Sequence, residues 1–160
     1  MQIFILRHGE AEPREARKQD STRALTSEGK SDVRRVLRLA RGSSVAPGCI
    51  FSSSLLRARQ TAAVAAKVFN VKNVVETKSL LPGSSPQAMW KELIALRHVE
   101  QVLLAGHEPH LSHLIRFLLE APVAVDLKKG ALVRIDCAGL HGPPRGVLKW
   151  MLTPRVVRGR

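Results

Sequence analysis

The chain has 160 residues, enough for one domain with a sizeable core. Hydrophobic residues make up 44% and charged residues 24%, which excludes disordered and fibrous classes, and the net charge of +13 favours anionic partners. Two cysteines, Cys49 and Cys137, neither in a CxxC pair, exclude a disulfide framework and give no support to thiolate metal sites or redox motifs. No apolar run reaches the roughly 18 residues of a membrane span. Met1–Leu6 is too short for a secretion signal ahead of the charged Arg7-His8-Gly9-Glu10. These features predict a soluble protein of the cytoplasm.

The chain alternates short apolar runs, polar turns and helical patterns. Gln2–Leu6 reads as a buried strand that stops abruptly in charge. Gly9–Leu25 reads as a mobile loop. Thr26 caps a predicted helix with Val33, Val36, Leu37 and Ala40 on one face and most of its arginines off it. Cys49–Phe51 is a second short strand, running into Ser52-Ser53-Ser54. A helix follows over Arg57–Phe69, with Ala58, Ala62, Ala65 and Phe69 at helical spacing. Val71–Glu76 reads as a third strand. Ser85-Pro86 pairs a capping side chain with proline at the first helical position. Gln101–Ala105 is the predicted central strand and ends at Gly106-His107, with a helix from about His110 to Leu119 after it. Ala131–Asp136 and Gly146–Leu152, separated by a Gly/Pro-rich turn, read as a final antiparallel pair. The basic segment Thr153–Arg160 shows no period and is expected to fray. Strands alternating with helices predict an α/β domain over 1–152, with a mostly parallel sheet and a C-terminal tail over 153–160.

The chemistry-bearing residues fall at three strand ends. Arg7-His8-Gly9 follows the first strand, Ser53 and Arg57 the second, and Gly106-His107 the fourth. Open α/β sheets bind ligands beyond the carboxyl ends of their strands, so these segments converge. Two arginines and two histidines at one place suit a dianion. Each guanidinium forks onto two oxygens, and the helix beginning near Leu55 adds backbone N–H groups. One imidazole can then be a nucleophile and the other a stabiliser of the transferring group.

LRHGE at 6–10, SSSLLRARQT at 52–61 and GHEP at 106–109, in that order, resemble the histidine phosphatase superfamily, which includes phosphoglycerate mutases and acid phosphatases. The small size, Leu25-Thr26 ahead of the first helix and the GHEP form are most similar to phosphohistidine phosphatases of the SixA type, over residues 1 to about 152. The resemblance implies a three-layer α/β/α fold of the phosphoglycerate mutase kind. By carry-over, His8 takes the phosphoryl group, and Arg7, Arg57 and His107 hold its oxygens. Gly9, Ser53 and Glu108 join them as candidate substrate-binding residues. The scheme implied is two-step hydrolysis through phosphorylated His8, with no cofactor and no metal. The substrate implied is a phosphohistidine on another protein, such as a histidine-containing phosphotransfer domain.

The chain departs from mutase-like members in two places. Their Asn six positions after the nucleophile is Arg14 here. Their Glu proton donor has no motif match among Glu76, Glu92 and Glu100. Another branch of the superfamily places an acid just after the second histidine, where this chain has Glu108.

Two other readings stand beside this one: a phosphomonoesterase acting on small phosphates, and a basic module binding nucleic acid or other anions. Aromatic content of 4% and arginines scattered over several segments weigh against nucleic acid. His107, His110 and His113 recur every third residue, but GHEPHLSH is not the HExxH of zinc hydrolases, and Pro109 separates His107 from the helix that carries the other two.

Overall fold

The computed structural model describes residues 1–14, 19–96, 98–138 and 142–159. Parts of the Gly9–Leu25 loop and of the Gly/Pro-rich turn, and the last residue of the tail, therefore lie outside the described residues.

Six strands form one mixed sheet: β1 (Gln2–Arg7), β2 (Cys49–Ser52), β3 (Val74–Glu76), β4 (Gln101–Gly106), β5 (Leu132–Cys137) and β6 (Gly146–Leu152). They lie in the order β3-β2-β4-β1-β5-β6. β3, β2, β4 and β1 run parallel; at the other side β5 runs antiparallel to β1, and β6 antiparallel to β5. Alternation along β1 sends Ile3 and Ile5 to one face and Phe4 and Leu6 to the other, all four fully buried. Such double-sided burial is why the strand reads as a continuous apolar run.

Among the described residues five α-helices flank the sheet: α1 (Ser27–Gly42), α2 (Leu56–Phe69), α3 (Pro86–Ile94), α4 (His110–Leu119) and α5 (Pro154–Arg158). Val33, Val36, Leu37 and Ala40 of α1 and Ala62 and Ala65 of α2 bury against Phe4, Leu6, Ile50 and Leu103. Trp90 and Leu93 of α3 and Leu111, Leu114 and Leu118 of α4 bury on the opposite face, against Ile3, Ile5, Val102 and Leu104. The result is the three-layer α/β/α arrangement. The caps form where the sequence places them: Thr26 Oγ1 accepts the Gly29 N–H and Ser85 Oγ accepts the Ala88 N–H.

Two expectations need correction. The third strand is shorter than read, Val74–Glu76, because it pairs only with the short β2, from Ile50 to Ser52. The tail does not fray: it forms α5, capped by Thr153 Oγ1 on the Val156 N–H. Arg158 ties this turn to α1, donating from Nε to Asp32 at 2.9 Å and from Nη2 to Glu28 at 2.8 Å.

Register builds the site. In the parallel ladders Arg7 stands opposite Gly106 and Ser52 opposite Ala105. The next residues, His8, His107 and Ser53, therefore emerge side by side at one sheet edge.

Candidate active site

Main-chain bonds lock the strand ends together. The His8 N–H donates to Gly106 O at 3.1 Å and the Ser53 N–H to Ala105 O at 3.1 Å. Behind them, the Gly130 N–H reaches His8 O at 3.0 Å, fixing the turn after β1.

His8 is buried, and its Nδ1 lies 2.8 Å from Gly9 O. A carbonyl only accepts, so Nδ1 carries the proton and Nε2 keeps a free lone pair. Burial pushes the pKa of His8 down to about 4, with the charges of Arg57, Arg7 and Lys129 acting the same way and the Gly9 bond opposing them. At neutral pH the ring is uncharged, with its lone pair on Nε2.

His107 packs beside it, the ring centroids 5.1 Å apart. Burial, then His8 and Arg57, push its pKa down to about 3, while Asp20 acts in the opposite sense. Ser53 Oγ accepts the Leu55 N–H at 3.3 Å and, with its own proton turned to His107 Nε2 at 2.9 Å, leaves the N–H of the neutral His107 ring on Nδ1. Ser53 is fully buried, so the structure places this candidate substrate-binding residue as a support of His107.

Arg57 sits in the first turn of α2 and is buried. Its Nη1 donates to Asp20 O at 2.8 Å and its Nη2 to the Asp20 carboxylate at 2.9 Å. Arg7 Nη1 donates to Leu127 O at 2.7 Å. Arg7 Nε, Arg57 Nε and His107 Nδ1 are buried and have no hydrogen-bond partner. Each unmet buried polar group costs about 1–3 kcal/mol, so a set of them around His8 is a set of donors awaiting an acceptor.

Gly9 is required by close packing. A Cβ there would stand 2.8 Å from Gly29 O in α1, and a Cβ on Gly29 would stand 2.2 Å from Glu10 O. The two glycines let the loop after β1 lie flat on the start of α1. Glu108 follows His107, but its Oε2 accepts the Ser112 hydroxyl at 2.5 Å and its Oε1 is buried without a partner.

Three contributors escaped the sequence reading. Asp20 carries no periodic or motif signal. Thr61 closes the 52–61 motif, where its signal lay unused: its buried Oγ1 donates to Arg57 O at 2.7 Å and accepts the Gly9 N–H at 3.3 Å. Lys129 adds positive charge beside His8 and pairs with Glu10 at 2.6 Å. His110 and His113 diverge on α4, one buried and the other exposed. Among the described residues no cluster of three His, Cys, Asp or Glu side chains could hold a metal ion.

Residues 3–81 match the family model of the histidine phosphatase superfamily, branch 1. Phosphohistidine phosphatase SixA of Escherichia coli strain K12 is 28% identical over 162 residues, covering 96% of this chain and 94% of that protein. A solved structure of the protein histidine phosphatase SixA complexed with tungstate superposes with a TM-score of 0.83, at 26% identity over 96% of this chain and 97% of the other. The alpha-ribazole phosphatase of Shigella flexneri shares the fold, with a TM-score of 0.70 at 17% identity, over 96% of this chain and 97% of its own. Three motifs meeting at one sheet edge, a family model matched over residues 3–81 and this fold make the chain similar to the histidine phosphatase superfamily.

Proposed function

We propose that the chain, a phosphatase of this superfamily, hydrolyses phosphohistidine on other proteins through a phosphorylated His8. The observation that carries this reading is the tautomer of His8. Its Nδ1–H is spent on Gly9 O, so the Nε2 lone pair is free beside two guanidinium groups with unmet donors. The tungstate complex of the SixA relative supports it, because tungstate is a tetrahedral oxyanion like phosphate.

In the first step Nε2 of His8 attacks phosphorus while the bond from phosphorus to the substrate imidazole breaks. The bonding pair leaves with that imidazole, which departs neutral because its second ring nitrogen has taken a proton from solvent. Arg7, Arg57 and His107 stabilise the charge spread over the three remaining oxygens, and this positioning supplies most of the catalysis of phosphoryl transfer. An incoming dianion also raises the pKa of His107 and favours its doubly donating form. In the second step water attacks phosphorus, inorganic phosphate leaves, and His8 is restored. No step calls on a metal ion. The buried free thiols of Cys49 and Cys137 fit a reducing cytoplasm, and no helix among the described residues is long and apolar enough to cross a membrane.

The test is phosphate release from a panel: a phosphohistidine protein, phosphoramidate, an aryl phosphate and a phosphoserine peptide. Turnover should be fastest on the two P–N substrates. A rapid quench without acid should trap an acid-labile, base-stable label that His8→Ala abolishes. A label trapped elsewhere, or none, overturns the mechanism. Equal rates on phosphoserine overturn the substrate class in favour of a general phosphomonoesterase.

A further inference from the structure

Beside the site a groove of about 1010 Å³ opens between the 126–129 loop and the C-terminal helix, with the catalytic candidate Arg7 in its lining. Its volume is far more than a phosphoryl group needs. Three carboxylates line it, and each is matched: Glu10 by Lys129 at 2.6 Å, Asp126 by Lys128 at 2.5 Å and Asp32 by Arg158 at 2.9 Å. Arg7 and Arg155 are left as surplus cations, and Arg155 is exposed without a carboxylate partner among the described residues. Met151 and Pro154 add apolar surface between these charges.

We propose that this groove is a docking surface for an acidic segment flanking the phosphohistidine of the substrate protein. The inference rests on the phosphohistidine reading of the site and names what lies beyond the phosphoryl group. Charge complementarity selects the occupant. Among the described residues the lining carries five basic side chains against three acidic ones, so incoming carboxylates meet net positive charge and can exchange into the exposed Lys128 pair. A protein segment also has methylenes to lay on Met151 and Pro154. A nucleic-acid strand is disfavoured here: its continuous phosphates would run over three carboxylates, and among the described residues no aromatic side chain lines the groove for base stacking. Continuity with Arg7 means that a segment seated in the groove lies next to the group being transferred.

Two synthetic phosphohistidine peptides, one flanked by glutamates and one by lysines, test this alongside phosphoramidate. The full-length enzyme should show kcat/KM about fivefold or more higher on the glutamate peptide, mainly through KM, and raised salt should erase the difference. The double variant Lys128→Glu, Arg155→Glu should lose that preference while phosphoramidate turnover stays unchanged. A control pair with the same change in net charge on the exposed face of α1, Arg34→Glu with Arg38→Glu, should keep it. No preference in the wild type, a preference surviving in the groove variant, or equal loss in the control overturns the docking surface. So does a single-stranded oligonucleotide that competes with the glutamate peptide in the wild type but not in the groove variant. Phosphoramidate turnover by the wild type separates this outcome from failure of the underlying reading: with it, only the groove is wrong; without it, the phosphatase assignment falls first.

Discussion

Asp20 grips both terminal nitrogens of Arg57, the backbone carbonyl taking Nη1 at 2.8 Å and the carboxylate taking Nη2 at 2.9 Å. A hydrogen bond from Arg23 is the main cause that holds the Asp20 carboxyl below its usual value, and Arg57 adds to it, so the group is ionised at neutral pH. An anionic carboxylate and an incoming phosphoryl group then compete for one guanidinium. Asp20→Asn keeps the backbone acceptor and a side-chain oxygen but removes the charge. Because the carboxylate is 39% exposed, solvent screens the effect, and an exposed pair is worth about 0.2–1 kcal/mol. Inhibition by tungstate or phosphate should therefore tighten about two- to fivefold. Weaker inhibition would show that Asp20 only positions Arg57.

Thr61 joins the loop after His8 to the helix that carries Arg57 through one hydroxyl, between Gly9 N and Arg57 O. Thr61→Val is nearly isosteric but strands the Gly9 N–H, whose own carbonyl fixes the His8 tautomer. The expected stability loss is about 1–3 kcal/mol. Turnover should fall with a smaller change in KM, and Thr61→Ser should restore both. If the valine variant loses stability but keeps kcat, the hydroxyl is structural only.

The catalytic candidates were legible because each follows a strand that the apolar pattern marks: His8 after Gln2–Leu6, Ser53 after Cys49–Phe51, His107 after Gln101–Ala105. Parallel register does the rest, since Arg7 opposite Gly106 leaves their successors no other place to go. Asp20 was not legible, because an irregular loop has no period from which a partner 37 residues away could be read. Ser53 read as a substrate ligand because its hydroxyl lies in a phosphate-binding motif. Only the geometry shows it spent on His107. Thr153-Pro154 carried the same cap-and-proline signal as Ser85-Pro86, but a five-residue helix is too short to show an apolar face.

Gly29 marks a constraint of a different kind, invisible in any helical pattern. It lies in the first turn of α1, where alanine would ordinarily be favoured, yet its Cβ would meet Glu10 O at 2.2 Å. Backbone must shift, and the loop carrying His8 and Gly9 shifts with it. Gly29→Ala should cost about 1–3 kcal/mol and lower Tm by several degrees, with turnover falling as well. Gly42, in the last turn of the same helix, has open space around its Cβ. Gly42→Ala should leave Tm unchanged or raise it slightly. Equal effects of the two substitutions, read by thermal melts, would refute the close-packing account.

The two buried imidazoles set the pH dependence. Their pKa values, about 4 for His8 and about 3 for His107, lie below the 6.5 of an exposed histidine. Between 6.5 and these values the unfolded chain binds protons that the folded chain does not. Stability conferred by the neutral rings is thus complete above pH 6.5 and is lost as pH falls through about 4. Activity follows the same sign. The acid limb of kcat/KM, which reports the free enzyme, should fall near pH 4 on an aryl phosphate, with no inflection near 6.5. An NMR titration of His8 with a midpoint near 6.5 would refute this assignment.

The leaving group decides how far the pocket needs an acid, and two carboxylates close to the histidine motifs, Asp20 and Glu108, are otherwise engaged. Asp20 is held ionised by Arg23 and Arg57, and the Glu108 Oε2 takes the Ser112 hydroxyl. An alkoxide leaving from phosphoserine needs a positioned proton donor, whose removal typically costs about 10²–10⁴ in rate. Imidazole needs no acid from the pocket: once its second ring nitrogen has taken a proton from solvent, it departs neutral, as the base of a conjugate acid with a pKa of about 6.5. The site should therefore turn over phosphohistidine and phosphoramidate at least about 100-fold faster than phosphoserine peptides. Glu108→Gln preserves an oxygen for the Ser112 hydroxyl while removing the ionisable group. It should leave phosphohistidine turnover within about twofold and depress aryl and alkyl phosphate turnover more, if Glu108 supplies the proton those substrates need. Equal loss on all substrates would make Glu108 a support of the loop rather than an acid. No loss on any would remove it from the reaction, leaving P–N cleavage to proceed on the two arginines and two histidines alone.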